Sequence, residues 1–188
     1  MSRRKFFTLL LTLLTAPMLW AAPNGTPQQP DKPFIMTLKG PGQKTLHIEH
    51  LPNGLRVKEY PGKAILFNFF GKQCPWCWKE IPHLVELQKK YKGKLQIIAI
   101  QAQRHMTPRE RKEMYQRFGF NYPVYEYEEG ENALFVDYIS RRTNWRGGLP
   151  FSVLFDPKGN YVYAFRGYAP LDQLERAVDF AITGKMKK

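Results

Sequence analysis

The segment AILFNFFGKQCPWCWKEIPHL, residues 64–84, joins a continuous apolar run to the only two cysteines of this 188-residue chain. The run at 64–70 lies between glycines and is interrupted only by Asn68, which predicts a central strand covered on both faces. The leucines that follow recur at helical spacing as far as Tyr91, so a helix is predicted there. Cys74 should therefore lie where a buried strand ends and a helix begins.

This placement predicts different roles for the two cysteines. At a helix N-terminus, unpaired amide groups and the helix dipole favour an anion, so the thiolate of Cys74 should be the attacking nucleophile. Cys77, one turn further along, should be more buried and suited to resolving a mixed disulfide. Pro75 fits the first helical turn, because that position needs no amide hydrogen.

Other uses of a cysteine pair stay open on the residues alone. A structural zinc site would need a second pair of ligands, and the histidines offer none at suitable spacing. Two thiolates and one histidine, such as His83 or His105, could hold Cu(I). A permanent disulfide across two intervening residues closes too small a loop to stabilise much. Redox turnover is therefore the favoured interpretation. The histidines considered are His47, His50, His83 and His105.

Residues 1–22 have the three parts of a bacterial export signal. Basic residues at 3–5 precede the apolar run 6–14, and two alanines at 21–22 supply a cleavage site. The run is short for a membrane span, so we expect cleavage, followed by a flexible lead-in at 23–33. The sequence SRRKFF also fits the twin-arginine route. We therefore expect a periplasmic protein, in a compartment where a close cysteine pair forms a disulfide.

The rest of the chain, residues 34–188, has the size of one domain. The net charge of +13 for the full chain falls to +10 without the three basic residues of 1–22, and this charge favours anionic partners, such as acidic proteins or lipid head groups. Nucleic acid is not expected as a partner outside the cytoplasm. The same charge would also serve solubility alone.

Strand and helix patterns alternate along this domain, which predicts an α/β fold with a mixed sheet and helices on both faces. The turn sequence PKGN, residues 157–160, predicts a β-hairpin. The acidic stretch YEYEEGE, residues 125–131, is expected to be a solvated loop that leads into a helix. Strands are predicted at 34–40, 45–51, 94–102, 150–156 and 161–167, and helices at 74–91, 107–119, 132–140 and 170–184.

Together these features resemble the thioredoxin superfamily. The CPWC motif follows a central strand, Pro82 lies five residues after Cys77, and GGLP, residues 147–150, directly precedes a strand. Within the superfamily, the segments 64–84 and 148–167 resemble the exported TlpA-like group of thiol-disulfide oxidoreductases, which includes ResA and CcmG. The resemblance covers most of the chain. It implies a thioredoxin fold with an N-terminal strand extension and an insertion before the cis-proline loop.

The resemblance also implies which residues bind the substrate. It identifies Pro150 as a cis-proline that faces the disulfide. The backbone of Leu149 would then pair with the substrate as an added strand, and Pro75 and Trp76 would contact it.

Three positions near the motif need separate interpretation. Cytosolic thioredoxin has a buried aspartate at the position of Asn68, and in this difference the chain resembles the TlpA-like group. Gln73 replaces the tryptophan that is usual before the first cysteine, and this change departs from both groups. Glu80 lies three residues after Cys77, on the same helix face. In ResA-like proteins a glutamate here influences the cysteines, so the resemblance implies that Glu80 accepts a proton from Cys77. An ordinary first-turn glutamate stabilised by the helix dipole is the alternative.

The resemblance implies an enzyme that reduces disulfides of partner proteins, with no cofactor or metal beyond its own redox-active disulfide. Apocytochrome c is a candidate substrate, a membrane protein would supply the electrons, and a monomer is expected. A dithiol oxidase or isomerase of the DsbA or DsbC type is the main alternative, because small changes decide the reduction potential. Trp76 favours reduction, since DsbA has a thiolate-stabilising histidine there. Lys72 and Lys79 are expected to be solvated.

Overall fold

The computed structural model of the chain describes residues 34–128 and 130–185. The expected export signal at 1–22 and lead-in at 23–33 lie outside these residues and remain predictions. Within the described ranges, no helix is both long enough and apolar enough to cross a membrane. The strands are β1 (Ile35–Leu38), β2 (Leu46–Leu51), β3 (Gly54–Val57), β4 (Ala64–Phe70), β5 (Leu95–Gln101), β6 (Val124–Glu126), β7 (Phe151–Phe155) and β8 (Tyr161–Arg166), and the helices are α1 (Pro75–Lys90), α2 (Pro108–Phe118), α3 (Asn132–Thr143) and α4 (Leu171–Thr183).

Five strands form the central sheet in the order β6-β5-β4-β7-β8. The middle strand, β4, runs parallel to β5 and antiparallel to β7. All seven residues of β4 are buried, because other elements cover both faces of the sheet. The predicted mixed sheet and central strand are therefore confirmed, and the chain passes from the end of β4 directly into the cysteine motif.

The core has one part on each face of this sheet. On one face lie α1 and α4, with Leu84 of α1 and Leu174 of α4 both fully buried. On the other face α3 packs with the small sheet β1-β2-β3, and the rings of Phe67 and Phe135 lie 4.7 Å apart. Burial of these apolar side chains supplies the main driving force for folding. The predicted helices on both faces are confirmed.

The first two helices begin where the sequence predicts. Cys74 is the N-cap of α1, and Pro75 occupies its first turn. Thr107 caps α2 through a capping box with Glu110, and Gly119 ends that helix in the left-handed conformation at φ 59°. Local capping signals therefore determine where the cysteines lie relative to α1.

Two strands and one loop differ from the prediction. The strands β3 and β6 were not predicted, because four and three residues are too few to show an alternation. The expectation of a solvated loop at 125–131 is wrong at its start, where Tyr125 and Glu126 are buried in β6. Hydrogen bonds from Met106 N–H and Arg111 Nε to the Glu126 carboxylate compensate the burial of its charge.

Candidate active site

The two cysteines form a disulfide at the start of α1. Their Cα atoms are 5.2 Å apart, and the Cys77 amide donates to Cys74 Sγ at 3.2 Å. Cys74 is 7% exposed and Cys77 is 1% exposed, so the first cysteine is the more accessible one. This order of exposure agrees with the roles of attacking and resolving cysteine, which remain predictions.

The lysine just before the motif is bound by its neighbours. Lys72 Nζ donates to Glu110 Oε1 and to the His105 carbonyl oxygen, at 2.9 Å in each case, and its side chain is 18% exposed. The expectation that Lys72 is solvated is therefore wrong. The hydrogen bond from Lys72 lowers the pKa of Glu110 to about 2. Because Glu110 compensates this positive charge, the N-terminus of α1 is left as the feature that favours a Cys74 thiolate.

A glutamine from the loop after β5 holds the backbone that leads into the motif. Gln103 Oε1 accepts the Gln73 amide at 3.0 Å. The Gln103 side chain packs so closely on Gly71 that a Cβ there would lie 2.4 Å from Gln103 Cδ. Gly71 thus permits an approach that fixes the residue before Cys74. Sequence reasoning missed Gln103, because the contact depends on the path of a separate loop.

Glu80 is buried in the protein interior. It is 1% exposed, its Oε1 accepts the Ala169 amide at 2.8 Å, and its Oε2 accepts Asn68 Nδ2 at 3.0 Å. Burial raises the pKa of Glu80 to about 7, and the two hydrogen bonds keep it from rising further. Glu80 is buried and lies beyond the first turn of α1, which excludes the first-turn glutamate stabilised by the helix dipole. On the same helix face as Cys77, a carboxyl with this pKa can exchange a proton near neutral pH.

Asn68 connects Glu80 to the neighbouring strand. Its Nδ2 also donates to Ser152 Oγ at 2.9 Å, across the antiparallel β4–β7 pair in which the two residues are opposite each other. Burial raises the pKa of Tyr122, and the nearby charge of Glu80 raises it further. Sequence reasoning missed Ser152, Ala169 and Tyr122, because only the tertiary fold brings Ser152 to Asn68 and the other two residues to Glu80.

The loop before β7 has the expected proline geometry. The Leu149–Pro150 peptide bond is cis. The Gly167 amide donates to the Pro150 carbonyl oxygen at 2.9 Å, which ties this loop to the end of β8. Leu149 is half-buried and packs against the cores on both faces of the sheet. The part of these residues in substrate binding remains a prediction.

Trp76 belongs to an aromatic surface beside the disulfide. It is 58% exposed, and its ring lies 5.9 Å from the ring of Tyr168. Lys79 Nζ lies 5.4 Å from the Trp76 ring and 4.8 Å from the Tyr168 ring, so this exposed lysine stacks on aromatic faces as well as contacting solvent. The only sequence signal for Tyr168 is an aromatic residue directly after Gly167, and sequence reasoning missed it.

Among residues 34–128 and 130–185, no three His, Cys, Asp or Glu side chains lie close enough together to hold a metal ion. Of the two histidines considered for Cu(I), His105 lies 3.1 Å from Glu126 Oε2 through its Nδ1, and the His83 ring lies 5.8 Å from the ring of Tyr168. A Cu(I) site at the cysteines would therefore need a third ligand to move towards them.

Residues 45–183 match the AhpC/TSA family. The thiol-disulfide oxidoreductase ResA of Bacillus thuringiensis (strain Al Hakam) is 33% identical over 122 residues, which are 64% of this chain and 65% of that protein. The thioredoxin-like protein YneN of Bacillus subtilis (strain 168) is 29% identical over 82 residues, 41% of this chain and 46% of that protein. The match thus spans just under two thirds of the length of the ResA proteins.

Solved structures share the architecture. A thiol:disulfide interchange protein of the thioredoxin family from Chlorobium tepidum TLS has a TM-score of 0.60 at 22% identity, over 79% of this chain and 92% of that one. StoA from Bacillus subtilis has a TM-score of 0.56 at 15% identity, over 77% of this chain and 96% of that one. At these identities the likeness concerns the fold. Because the family match covers most of the chain and these structures share its architecture, the chain belongs to the AhpC/TSA family and has a thioredoxin fold.

Proposed function

We propose that this protein is an exported thiol-disulfide oxidoreductase that reduces disulfides in partner proteins. The observation that supports this most is the disulfide at the start of α1, in which the more accessible Cys74 caps the helix and Cys77 is buried one turn further. Relatives named thiol-disulfide oxidoreductase ResA support the same activity. Because the match spans 65% of those relatives, the proposal rests on the geometry of the site as much as on their names.

The reaction begins with both cysteines reduced. The Cys74 thiolate attacks one sulfur of the partner disulfide, forms a mixed disulfide and releases the partner's other sulfur as a thiolate. The Cys77 thiol then loses its proton and attacks Cys74 Sγ, which forms the Cys74–Cys77 disulfide and releases the second partner thiolate. The partner has gained two electrons, and its two thiolates take up protons. A dithiol donor must return two electrons to the protein before the next cycle.

Glu80 would accept the proton that Cys77 loses. With a pKa of about 7, a large share of this carboxyl is ionised near neutral pH and able to accept a proton. Asn68 Nδ2 and the Ala169 amide hold the two carboxyl oxygens in place. An ionised Glu80 also disfavours a nearby thiolate by like-charge repulsion, which destabilises the reduced pair and makes the protein a stronger reductant.

The proposal includes a location and a class of partner. The pattern of residues 1–22 supports export to the periplasm, where disulfides of other proteins would be the substrates and a membrane protein the dithiol donor. Apocytochrome c, with cysteines that must be reduced before haem attachment, is the first substrate to test. We expect Leu149, Trp76 and the prolines at 75 and 150 to contact the partner, and the disulfide itself to be the only redox group needed.

The reduction potential of the Cys74–Cys77 couple tests this proposal. We expect a value near the roughly −270 mV of thioredoxin and well below the roughly −120 mV of the oxidase DsbA. Titration against glutathione, followed by the fluorescence of Trp76 and Trp78, gives the midpoint. A value near that of DsbA would instead favour a dithiol oxidase or isomerase. Tight Cu(I) binding that depends on a cysteine and a histidine, without reduction of insulin, would favour a metal carrier.

A further inference from the structure

The two edge strands of the central sheet, β6 and β8, differ in the side chains that lie beside their outer backbone groups. At the β6 edge, Asn132 Nδ2 donates to the Glu126 carbonyl oxygen at 2.7 Å, so this backbone oxygen already has a hydrogen-bond donor. At the β8 edge, Tyr161 and Tyr163 are about half exposed, at 50% and 48%. Proteins usually cover or charge an edge strand, because its unpaired backbone groups can pair with another chain. The β8 edge carries one exposed charged residue, Arg166, but also exposed aromatic side chains.

The strand register shows which backbone groups of β8 face away from the sheet. The Gly167 amide donates to the Pro150 carbonyl oxygen at 2.9 Å, and Phe151 is opposite Arg166 in the antiparallel β7–β8 pair. Hydrogen-bonded and non-hydrogen-bonded pairs alternate along an antiparallel ladder. The N–H and C=O groups of Ala164 and Arg166 are therefore directed away from β7, at the outer edge of the sheet.

The outer edge leads from this strand to the cysteine motif. It begins after Tyr161, because the Tyr161 amide already donates to the Asn53 carbonyl oxygen at 2.9 Å. It ends in Tyr168, whose ring lies 5.9 Å from that of Trp76. A groove of about 380 Å³ follows the strand and is lined by Tyr161 and by the residues from Tyr163 to Ala169. We call the continuous surface formed by Trp76, Tyr163, Ala164, Arg166 and Tyr168 the β8 surface.

We propose that the β8 surface binds an extended segment of the partner polypeptide by strand addition. This segment would lie next to the disulfide of the partner that Cys74 attacks. The inference rests on the proposed function and specifies how the partner is held. Backbone pairing with Ala164 and Arg166 requires an extended segment but no particular sequence, which suits an enzyme that acts on flexible polypeptides. Tyr163 and Trp76 would contact apolar side chains of the segment.

Ala164→Pro tests the backbone pairing. Proline is tolerated on an edge strand where its nitrogen faces solvent, so pairing with β7 should survive while the outward donor is lost. We expect the pre-reduced variant to reduce insulin about tenfold more slowly than the unchanged protein. Its rate with 5,5′-dithiobis(2-nitrobenzoic acid), a disulfide too small to span the edge, should stay within about twofold.

Two further variants complete the kinetic test. Tyr127→Ser is the control, because it removes a partly exposed aromatic ring directly after β6, at the opposite edge of the central sheet. It should leave both rates unchanged. Tyr163→Ser keeps the backbone of β8 and removes the aromatic contact, so it should slow insulin reduction alone and serves if Ala164→Pro fails to fold.

Amide hydrogen exchange locates the contact directly. In Cys77→Ala protein trapped as a mixed disulfide with the insulin B chain, we expect exchange to slow at the Ala164 and Arg166 amides. The Tyr163 and Phe165 amides, which face β7, should change little.

Several results would overturn the proposal. Folded variants that reduce insulin at the full rate, or Ala164 and Arg166 amides that exchange as before, would exclude strand addition. An equal loss of rate with both substrates would place the effect at the cysteines instead. Conversion of a dimer to a monomer by Ala164→Pro would show that the edge binds a second copy of the chain. If the unchanged protein reduces neither substrate, the proposed function fails. The exchange experiment alone then decides whether the β8 surface binds a polypeptide segment.

Discussion

Glu80 illustrates how tertiary packing changes the chemistry of one residue. Its spacing from Cys77 is visible in the sequence and correctly places both on one helix face. Its burial is not visible, because the hydrogen-bond partners Asn68 and Ala169 lie in other elements. Only that burial raises the pKa of Glu80 to about 7. Position was therefore predictable from the sequence, whereas the proton affinity of the group required the fold.

Cys74 should react before Cys77 when the reduced protein meets an alkylating reagent near neutral pH. Cys74 caps α1 and is the more exposed of the two, so its thiolate is both favoured and reachable. Brief treatment with iodoacetamide, followed by peptide mass spectrometry, measures the order. The denatured protein is the control and should label both residues alike. Faster labelling of Cys77 in the folded protein would reverse the assigned roles.

Glu80→Gln should slow the resolving step and change its dependence on pH. The proton acceptor is the carboxylate, so in the unchanged protein the rate of resolution should rise as the pH increases through about 7. Glutamine keeps the shape but cannot take the proton, so this rise should disappear and the rate above pH 7 should fall at least about tenfold. Stopped-flow decay of a preformed mixed disulfide measures the step.

The exposed Glu86 on the same helix supplies the control for that experiment. Glu86→Gln should keep both the rate and the pH profile of the unchanged protein. A Glu80→Gln profile that still rises through pH 7 would show that another group accepts the proton.

At the scale of elements, the sequence predicts the helices and strands whose determining residues lie close to them in the chain. The ends of α1 and α2 were predictable because Pro75, Thr107 and Gly119 act within one turn of their own position. The strands β3 and β6 were not, because their pairing partners determine them. The backbone before the motif depends in the same way on Gln103, a residue of another loop.

Gly71→Ala should destabilise the protein by displacing Gln103. A Cβ at position 71 would lie 2.4 Å from Gln103 Cδ, so that flexible side chain must leave and the Gln73 amide loses its acceptor. We expect the free energy of unfolding to fall by about 1 kcal/mol, the usual contribution of one hydrogen bond. Urea unfolding of the oxidised protein measures the change.

A double-mutant cycle identifies the cause of that loss. Gln103→Ala should cost a similar amount, and Gly71→Ala with Gln103→Ala should cost little more than either change alone, because both remove the same contact. Losses that simply add would show that Gly71 acts independently of Gln103.

At the scale of the whole molecule, the order of elements and the cysteine motif were predictable, and the surroundings of the motif were not. The motif and Glu80 lie within residues 64–84, where strand and helix patterns place them. Ser152 reaches the site because β7 lies beside β4, and Tyr168 because β8 ends next to α1. These neighbours follow from the sheet order, which no local pattern specifies.

Glu80 should also make the stability of the whole protein depend on pH. Its pKa is about 7 in the folded protein, against 4.5 for an ordinary glutamate, so the folded state holds the proton more tightly. The free energy of unfolding should therefore fall as the pH rises from about 4.5 to about 7, by roughly 3 kcal/mol in total, and Glu80 should add no further change above that range. Denaturant titrations of the oxidised protein across this range measure the effect. Glu80→Gln should remove this part of the fall, and an unchanged pH dependence in that variant would contradict the prediction.

The hydrogen bonds around Glu80 join four separate parts of the chain: β4, α1, β7 and the segment before α4. Until these parts meet, Glu80 is an ordinary solvated carboxylate and the cysteines are ordinary thiols. A chain that is still folding can therefore form a mixed disulfide through Cys74 but has no tuned acceptor for the proton of Cys77. The chain therefore gains its proton acceptor only when the segment before α4 has joined the other three parts.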